Sequence, residues 1–432
     1  MPRHRIGIAT ADVTPPVGTF LAGYAARLQP STGVYHPLRA VCIALDDGNE
    51  PGLLVSIEWL GFYDRTPAAR ERIAARTGID PARILLSGTH THCGPALRRE
   101  IDGRRHGAVD ENYIERTLDA LAETAAAALE RRKPARLRAG AGWCGIASSR
   151  RRPDGKDGVL FKPSRDAPHD PTVSVLAVEA PDGTLRHLFY SYACHPTSGG
   201  AILEIGGDYV AFANKRIEAR YPGATAAFFQ GCAGDQKVDA RDAAGDGYRR
   251  LTLDEVRTEG ERLADAVLRV IDADALHPVE GAIAWSQETV ELQTDVSTEE
   301  ELKACLEAPQ QYVAAWARHQ LEQNAAGTPA ETRFSFEVQT LRLGRDLALI
   351  GLAGETSVEY ALRFRRELGG AYRGVWTLGY ANEMVGYIPV RRQISEGGYE
   401  VIDNNRHLRY TGPFAADTEE KIAAAVHRAL LQ

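Results

Sequence analysis

Ile84-Leu-Leu-Ser-Gly-Thr-His90-Thr-His92-Cys-Gly-Pro95 is the stretch on which the reading of this chain turns. A short apolar run closes on Ser-Gly, and two histidines follow, one residue apart. An uninterrupted apolar run bounded by small residues predicts a buried strand. In α/β proteins ligands gather where such strands end. Residues i and i+2 of an extended segment share a face, so His90 and His92 are expected to point the same way. Two imidazoles on one face suit a zinc site, one as ligand and its neighbour as ligand or general base. The competing reading is a pair of satisfied polar side chains at a strand end.

The same pattern recurs twice further along. Leu188-Phe-Tyr-Ser-Tyr-Ala-Cys-His195-Pro-Thr is an apolar strand ending in a histidine. A catalytic zinc commonly takes three protein ligands and leaves one position open, so a second strand-end histidine strengthens the first. Leu347-Ala-Leu-Ile-Gly-Leu-Ala-Gly-Glu355-Thr-Ser leads a third apolar strand through glycine to a carboxylate, just before a helical pattern. Glu355 is either a carboxylate ligand or an acid favoured by the dipole at a helix start.

Around these stretches, β-type runs at 39–45, 52–58, 83–87, 173–178, 187–192, 225–230 and 347–352 alternate with helical patterns. The helices are expected at 67–76, 111–131, 210–219, 253–271, 298–323, 357–367 and 418–431. The mixture predicts an α/β fold with a mixed central β-sheet flanked by helices. Segments 96–110 and 150–170 lack periodicity and read as loops. No linker is evident, so residues 1–432 are expected to form a single domain.

The 432 residues are 44% hydrophobic and 25% charged, with a formal net charge of -7. That composition is ordinary for a soluble globular chain and lacks the basic excess of a nucleic-acid binder. No apolar run is long enough to span a bilayer, and no signal segment is evident, so a cytoplasmic protein without membrane insertion is expected. The six cysteines form no C-x-x-C pair, which removes zinc-ribbon and thioredoxin-like readings. Neither nucleotide-binding glycine motif is present.

The ordered set of motifs resembles the neutral/alkaline (non-lysosomal) ceramidase family. The pieces are Gly7-Ile-Ala-Thr-Ala-Asp12-Val-Thr-Pro15 with Gly23-Tyr24, then Ser87-Gly-Thr-His-Thr-His-Cys-Gly-Pro95. Ala193-Cys-His195-Pro-Thr, Gln230-Gly-Cys-Ala-Gly234-Asp235 and Gly354-Glu355-Thr follow. Asn382 through Tyr387 and Gly398-Tyr399-Glu400 complete the series. The resemblance implies a ceramidase catalytic-domain-like fold and a Zn2+ centre held by His90, His195, Glu355 and Tyr387. It implies that His92 is an acid/base or substrate-orienting neighbour and that Tyr399 is a second site tyrosine. It also implies a site arginine, Arg150, with Arg151 as a close rival. The implied reaction is attack of zinc-held hydroxide on a carbonyl carbon, with Tyr399 and Arg150 stabilising the oxyanion.

The chain departs from the family in two respects. Ceramidases carry a G-D-V-S-P-N string, whereas this chain reads Gly234-Asp235-Gln236-Lys237-Val238-Asp239, with no hydroxyl for a serine nucleophile. The 418–431 helix follows soon after Tyr399, so no C-terminal β-sandwich is expected. Both departures point to a small soluble substrate, and the resemblance implies cleavage of a linear amide bond. The alternatives are carboxylic-ester or lactone hydrolysis at the same zinc, and a non-catalytic metal-binding homologue. Arg98, Arg99, Arg104 and Arg105, with the run Arg150, Arg151 and Arg152, suggest a positive rim for an anionic substrate. The competing reading is a solvated basic surface loop.

Overall fold

In the computed structural model, which describes residues 4–24, 27–98 and 109–431, two sheets lie face to face. The larger has nine strands. Its order is Thr225–Gln230, Leu185–Tyr192, Thr172–Glu179, Lys133–Trp143, His4–Asp12, Arg39–Asp46, Gly52–Ile57 and Ile84–Gly88, with Leu276–Val279 pairing Lys133–Trp143 off that path. The smaller has four, in the order Ile283–Gln293, Arg333–Leu343, Leu347–Leu352 and Gly374–Leu378. One apolar cluster fills the space between them. Ile43, Leu54, Leu85, Phe189 and Phe229 come from the large sheet; Leu341, Leu349 and Trp376 come from the small one.

Helices cover the outer faces. Thr66–Thr77 and Glu111–Glu130 pack on one half of the large sheet, and Asp208–Arg220 and Leu253–Asp272 on the other. Val358–Leu368 and Thr418–Leu431 cover the small sheet. The result is four layers, helix–sheet–sheet–helix. The single central sheet of the sequence reading is thus a stacked pair, still α/β and still flanked by helices. Among the described residues, no helix is long and apolar enough to cross a membrane.

Three crossover returns of the chain decide where the site lies. Gly52–Ile57 and Ile84–Gly88 pair in parallel across the helix Thr66–Thr77. Leu185–Tyr192 and Thr225–Gln230 do so across Asp208–Arg220, and Leu347–Leu352 and Gly374–Leu378 across Val358–Leu368. Parallel neighbours require such crossovers, and strands covered on both faces read as unbroken apolar runs. Gly52–Ile57, Ile84–Gly88 and Leu347–Leu352 are buried at every position. Isolated bridges, Ser87 with Ala381 and Gly231 with Leu378, tie the ends of these units together across the two sheets.

Two sequence expectations need correction. The 298–323 helix is two helices, Glu299–Cys305 and Gln311–Ala325, separated at Pro309, whose ring cannot continue a helix and carries no N–H. Segment 150–170 is largely a hairpin, Ala147–Pro153 with Val159–Ser164, whose inner strand also pairs with Gln236–Val238. Its charged side chains hid the alternation. In the other loop, Arg98 lies over the Tyr63 ring, 4.4 Å from its centroid, while Arg99, Arg104 and Arg105 fall outside the described residues.

Candidate metal centre

Each crossover unit delivers polar side chains from the C-terminal end of a buried strand. His90 follows Ile84–Gly88 and is turned into the left-handed region, φ 66°. Its backbone N–H donates to the Trp59 carbonyl at 3.0 Å. The segment is therefore not extended at this point, and His90 and His92 do not converge by strand alternation. They meet because the left-handed residue folds the chain back, bringing their Nε2 atoms to 3.3 Å.

The backbone also fixes which ring nitrogens are free. His90 Nδ1 lies 2.7 Å from the Leu60 carbonyl, and His195 Nδ1 lies 2.6 Å from the Ala233 carbonyl. A carbonyl only accepts, so both Nδ1 atoms carry the proton and both Nε2 lone pairs face inward. Burial, then the Arg150 charge, pulls His195 down to about 4, so the imidazole is neutral at neutral pH and fit for a metal.

Glu355 and Tyr387 are register partners in a two-residue parallel pair, Glu355–Thr356 with Tyr387–Ile388. Glu355 Oε2 lies 3.0 Å from His195 Nε2 and 3.3 Å from His90 Nε2; the Tyr387 hydroxyl lies 3.2 Å from His195 Nε2. Ligand atoms around a tetrahedral zinc with bonds near 2.0–2.1 Å stand ~3.3 Å apart. The four groups therefore fit that ion in chemistry, and these three separations match its spacing. Burial pushes the Glu355 carboxyl up, but His90 and His195 outweigh it and hold it well below the usual range. The helix that follows is capped by Ser357, which accepts from the Glu359 N–H, so the helix-start reading of Glu355 does not hold. A second grouping shares two of these residues: His90, His92 and His195 offer nitrogens all within 4.8 Å of one another and could hold a metal ion.

His92 is buried, and its Nδ1 has no hydrogen-bond partner. Burial, then repulsion from His90 and His195 wherever those are protonated, pulls its pKa well below the ordinary value. Tyr24 meets it edge-on at 5.0 Å. Gly23 supports it from behind: at φ 89°, a Cβ there would come within 2.2 Å of His92 Nδ1. Gly23→Ala is accordingly expected to displace the imidazole and lower kcat at least about tenfold, because sub-ångström misplacement of a reacting group is costly. The check is kcat alongside the thermal midpoint, since a merely destabilised protein would keep kcat per folded molecule.

Arg150 and Arg151 share one carboxylate. Arg150 Nε donates to Glu400 Oε1 at 2.7 Å and Arg151 Nη1 to Glu400 Oε2 at 2.6 Å, all three side chains being buried. Arg151 also binds Glu396 and the Gly397 carbonyl. Arg150 instead lies over the rings of Tyr387, Tyr399 and Phe161, interacts with the Tyr387 hydroxyl, and among the described residues has no hydrogen-bond partner for its Nη2. Arg152 is matched by Asp246. The arginine run is therefore internally neutralised rather than a positive rim. Glu400→Gln would leave two buried guanidinium groups short of charge, and a loss of ~3–5 kcal/mol in denaturant melts is expected.

Other residues of the centre were not singled out from sequence. Tyr380 is fully buried, its ring 4.1 Å from that of His90. Lys237, bridged through its backbone to His195, is held down to about 8 by burial and then by Arg150. Asp235 accepts from Ser357 Oγ, the Val358 N–H and Gln393 Nε2, welding the strand Gln236–Val238 to the Glu355 segment. Gly234 permits this contact, since a Cβ would stand 2.3 Å from the Glu355 carbonyl. The Gly234-Asp235 pair was visible as a motif, but its packing role was not.

No family model and no curated protein matches the sequence. Solved structures do. The neutral ceramidase from Pseudomonas aeruginosa superposes with a TM-score of 0.76 at 20% identity, covering 100% of this chain and 74% of that one. A ceramidase complexed with C2 gives 0.76 at 18% identity, covering 100% and 76%. At such identities the likeness is one of fold, and the resemblance read from the motifs is matched by the ceramidase architecture.

Proposed function

We propose, for a chain that has the ceramidase fold along its whole length, a zinc-dependent hydrolase cleaving a linear amide bond of a small soluble N-acyl compound. The observation that carries this reading is the set of inward-facing atoms of His90, His195, Glu355 and Tyr387, with His195 and Glu355, His90 and Glu355, and His195 and Tyr387 standing 3.0–3.3 Å apart. An ion bound there supplies Lewis acidity toward a carbonyl oxygen and lowers the pKa of water toward about 7.

The chain's own side chains do the rest. The neutral imidazole of His92 takes the proton of the attacking water and returns it to the leaving amine. The Tyr399 hydroxyl donates to the oxygen of the tetrahedral intermediate, and the Arg150 guanidinium packed over the Tyr399 ring stabilises that oxygen by its charge; one such donor contributes ~3 kcal/mol. Arg150 rather than Arg151 takes this role, because Arg151 spends its donors on Glu400, Glu396 and Gly397. Tyr387 and Tyr399 meet edge-on at 5.5 Å and wall the centre on the Arg150 side.

The test is metal analysis with a hydrolysis screen of N-acyl, ester and lactone substrates on zinc-loaded protein, His195→Ala serving as control. About one equivalent of zinc and chelator-sensitive amide turnover are expected. Less than about one-tenth equivalent, with activity indifferent to chelators, overturns the reading. Turnover confined to esters or lactones replaces the amide with the same centre acting on a better leaving group.

A further inference from the structure

Among the described residues, Lys237 at the edge of the centre makes no direct ion pair, the buried Asp208 carboxylate acting on it only from further off. Its strand, Gln236–Val238, runs antiparallel to Ala147–Pro153 with Lys237 opposite Ser148. Directly opposed residues project from the same face, and so does the residue two further on, which is Arg150. Lys237 and Arg150 therefore stand on one face of this small sheet, close enough for Arg150 to depress the lysine. Among the described residues, the Lys237 ammonium has no hydrogen bond or ion pair; it lies 5.2 Å from the centroid of the Tyr248 ring. Arg150, for its part, keeps one buried nitrogen, Nη2, without a partner.

The surroundings make this deficit specific. Arg151, Arg152, Lys162 and Arg165 on and beside the same hairpin are each matched by a carboxylate. Two like charges left partly desolvated side by side are costly, and the arrangement is relieved when an anion enters between them. The Tyr248 and Tyr399 rings flank Phe161 at 6.1 and 5.7 Å, and Phe161 is 49% exposed, which marks the approach from solvent.

We propose that the Lys237 ammonium and the free Nη2 of Arg150 together seat a carboxylate of the substrate, which makes that substrate an N-acyl amino acid or a close analogue. The inference rests on the hydrolase reading for the amide, but the seat itself does not require it. It also relocates anion recognition from the arginine run as a whole to one guanidinium nitrogen and a lysine on a distant strand.

Calorimetric binding of N-acetyl amino acids and of their primary amides to the full-length metal-free protein tests the seat directly. The acids are expected to bind at least about tenfold more tightly than the amides, as expected for a charge-assisted contact. Lys237→Met, close in length and uncharged, is expected to abolish that preference, and Lys237→Arg to retain it; thermal midpoints establish that both variants fold. Equal binding of acids and amides, absent binding of the acids, or a preference surviving in Lys237→Met overturns the proposal. Turnover by the zinc-loaded protein is read separately. In the wild type, acids bound selectively but never hydrolysed leave the seat standing and remove the hydrolase. Hydrolysis without preference for acids removes the seat and leaves the hydrolase. Where both hold, Lys237→Met raises KM for the acids with little change in kcat.

Discussion

Replacing Glu355 by glutamine is expected to empty the centre. Bound zinc should fall below about one-tenth equivalent, and turnover of every substrate class should fall with it. The substitution preserves shape but replaces an anionic acceptor with a neutral amide, so the argument is one of charge. His90 and His195 contribute neutral nitrogens, and burial holds the Tyr387 hydroxyl well above its ordinary pKa. Glu355 is thus the anion among the four groups, and a buried Arg150 stands nearby to oppose a divalent cation. Without the carboxylate, the ion enters a buried site with no compensating charge, a penalty far beyond the tenfold to hundredfold loss typical of an outer-shell change. Metal analysis after dialysis, with circular dichroism to establish folding, is the measurement. A folded Glu355→Gln protein retaining a full equivalent of zinc would move the ion onto His90, His92 and His195, the three-nitrogen alternative.

His92→Ala separates chemistry from binding. Zinc content is expected to stay near one equivalent while amide turnover drops by ~10²–10⁴, the usual contribution of a positioned acid–base group. Ester turnover is expected to drop far less, because an alkoxide leaves more readily than an unprotonated amine. The structural basis is the orphaned Nδ1 of a buried imidazole whose Nε2 stands 3.3 Å from the His90 nitrogen. A variant that loses zinc together with activity makes His92 a ligand. A variant that loses amide and ester turnover equally makes it a positioning group for the substrate instead.

The parts of this centre that were legible in the sequence are those that terminate doubly buried strands. His90, His195 and Glu355 each follow an apolar run whose continuity reflects cover on both faces, so run, small residue and functional side chain are read in one glance. Tyr387 and Tyr399 have no such herald. One sits in a two-residue strand and the other begins an irregular turn of helix, and only the resemblance brought them forward. The left-handed turn at His90 was invisible because φ > 0 remains uncommon even at a histidine, one of the residues enriched there, so the residue type alone does not announce it. The hairpin Ala147–Pro153 with Val159–Ser164 was missed because Arg152 and Lys162 reach the same carboxylate, Asp246, from adjacent strands, a match that exists only after folding.

The gathering of strand ends from three crossover units bears on when the metal can be acquired. Synthesis proceeds at roughly 5–20 residues per second, so Tyr387 leaves the ribosome ~15–60 s after His90. Until His195 emerges, ~5–20 s into that interval, a nascent chain offers passing zinc little more than the pair in His90-Thr-His92, and Glu355 and Tyr387 come later still. Loading is therefore expected to follow completion of the chain, and fragments ending before the Tyr387 segment should bind the ion only weakly. In refolding, zinc uptake should trail the recovery of helical signal, reporting the last association of the two sheets rather than the first collapse.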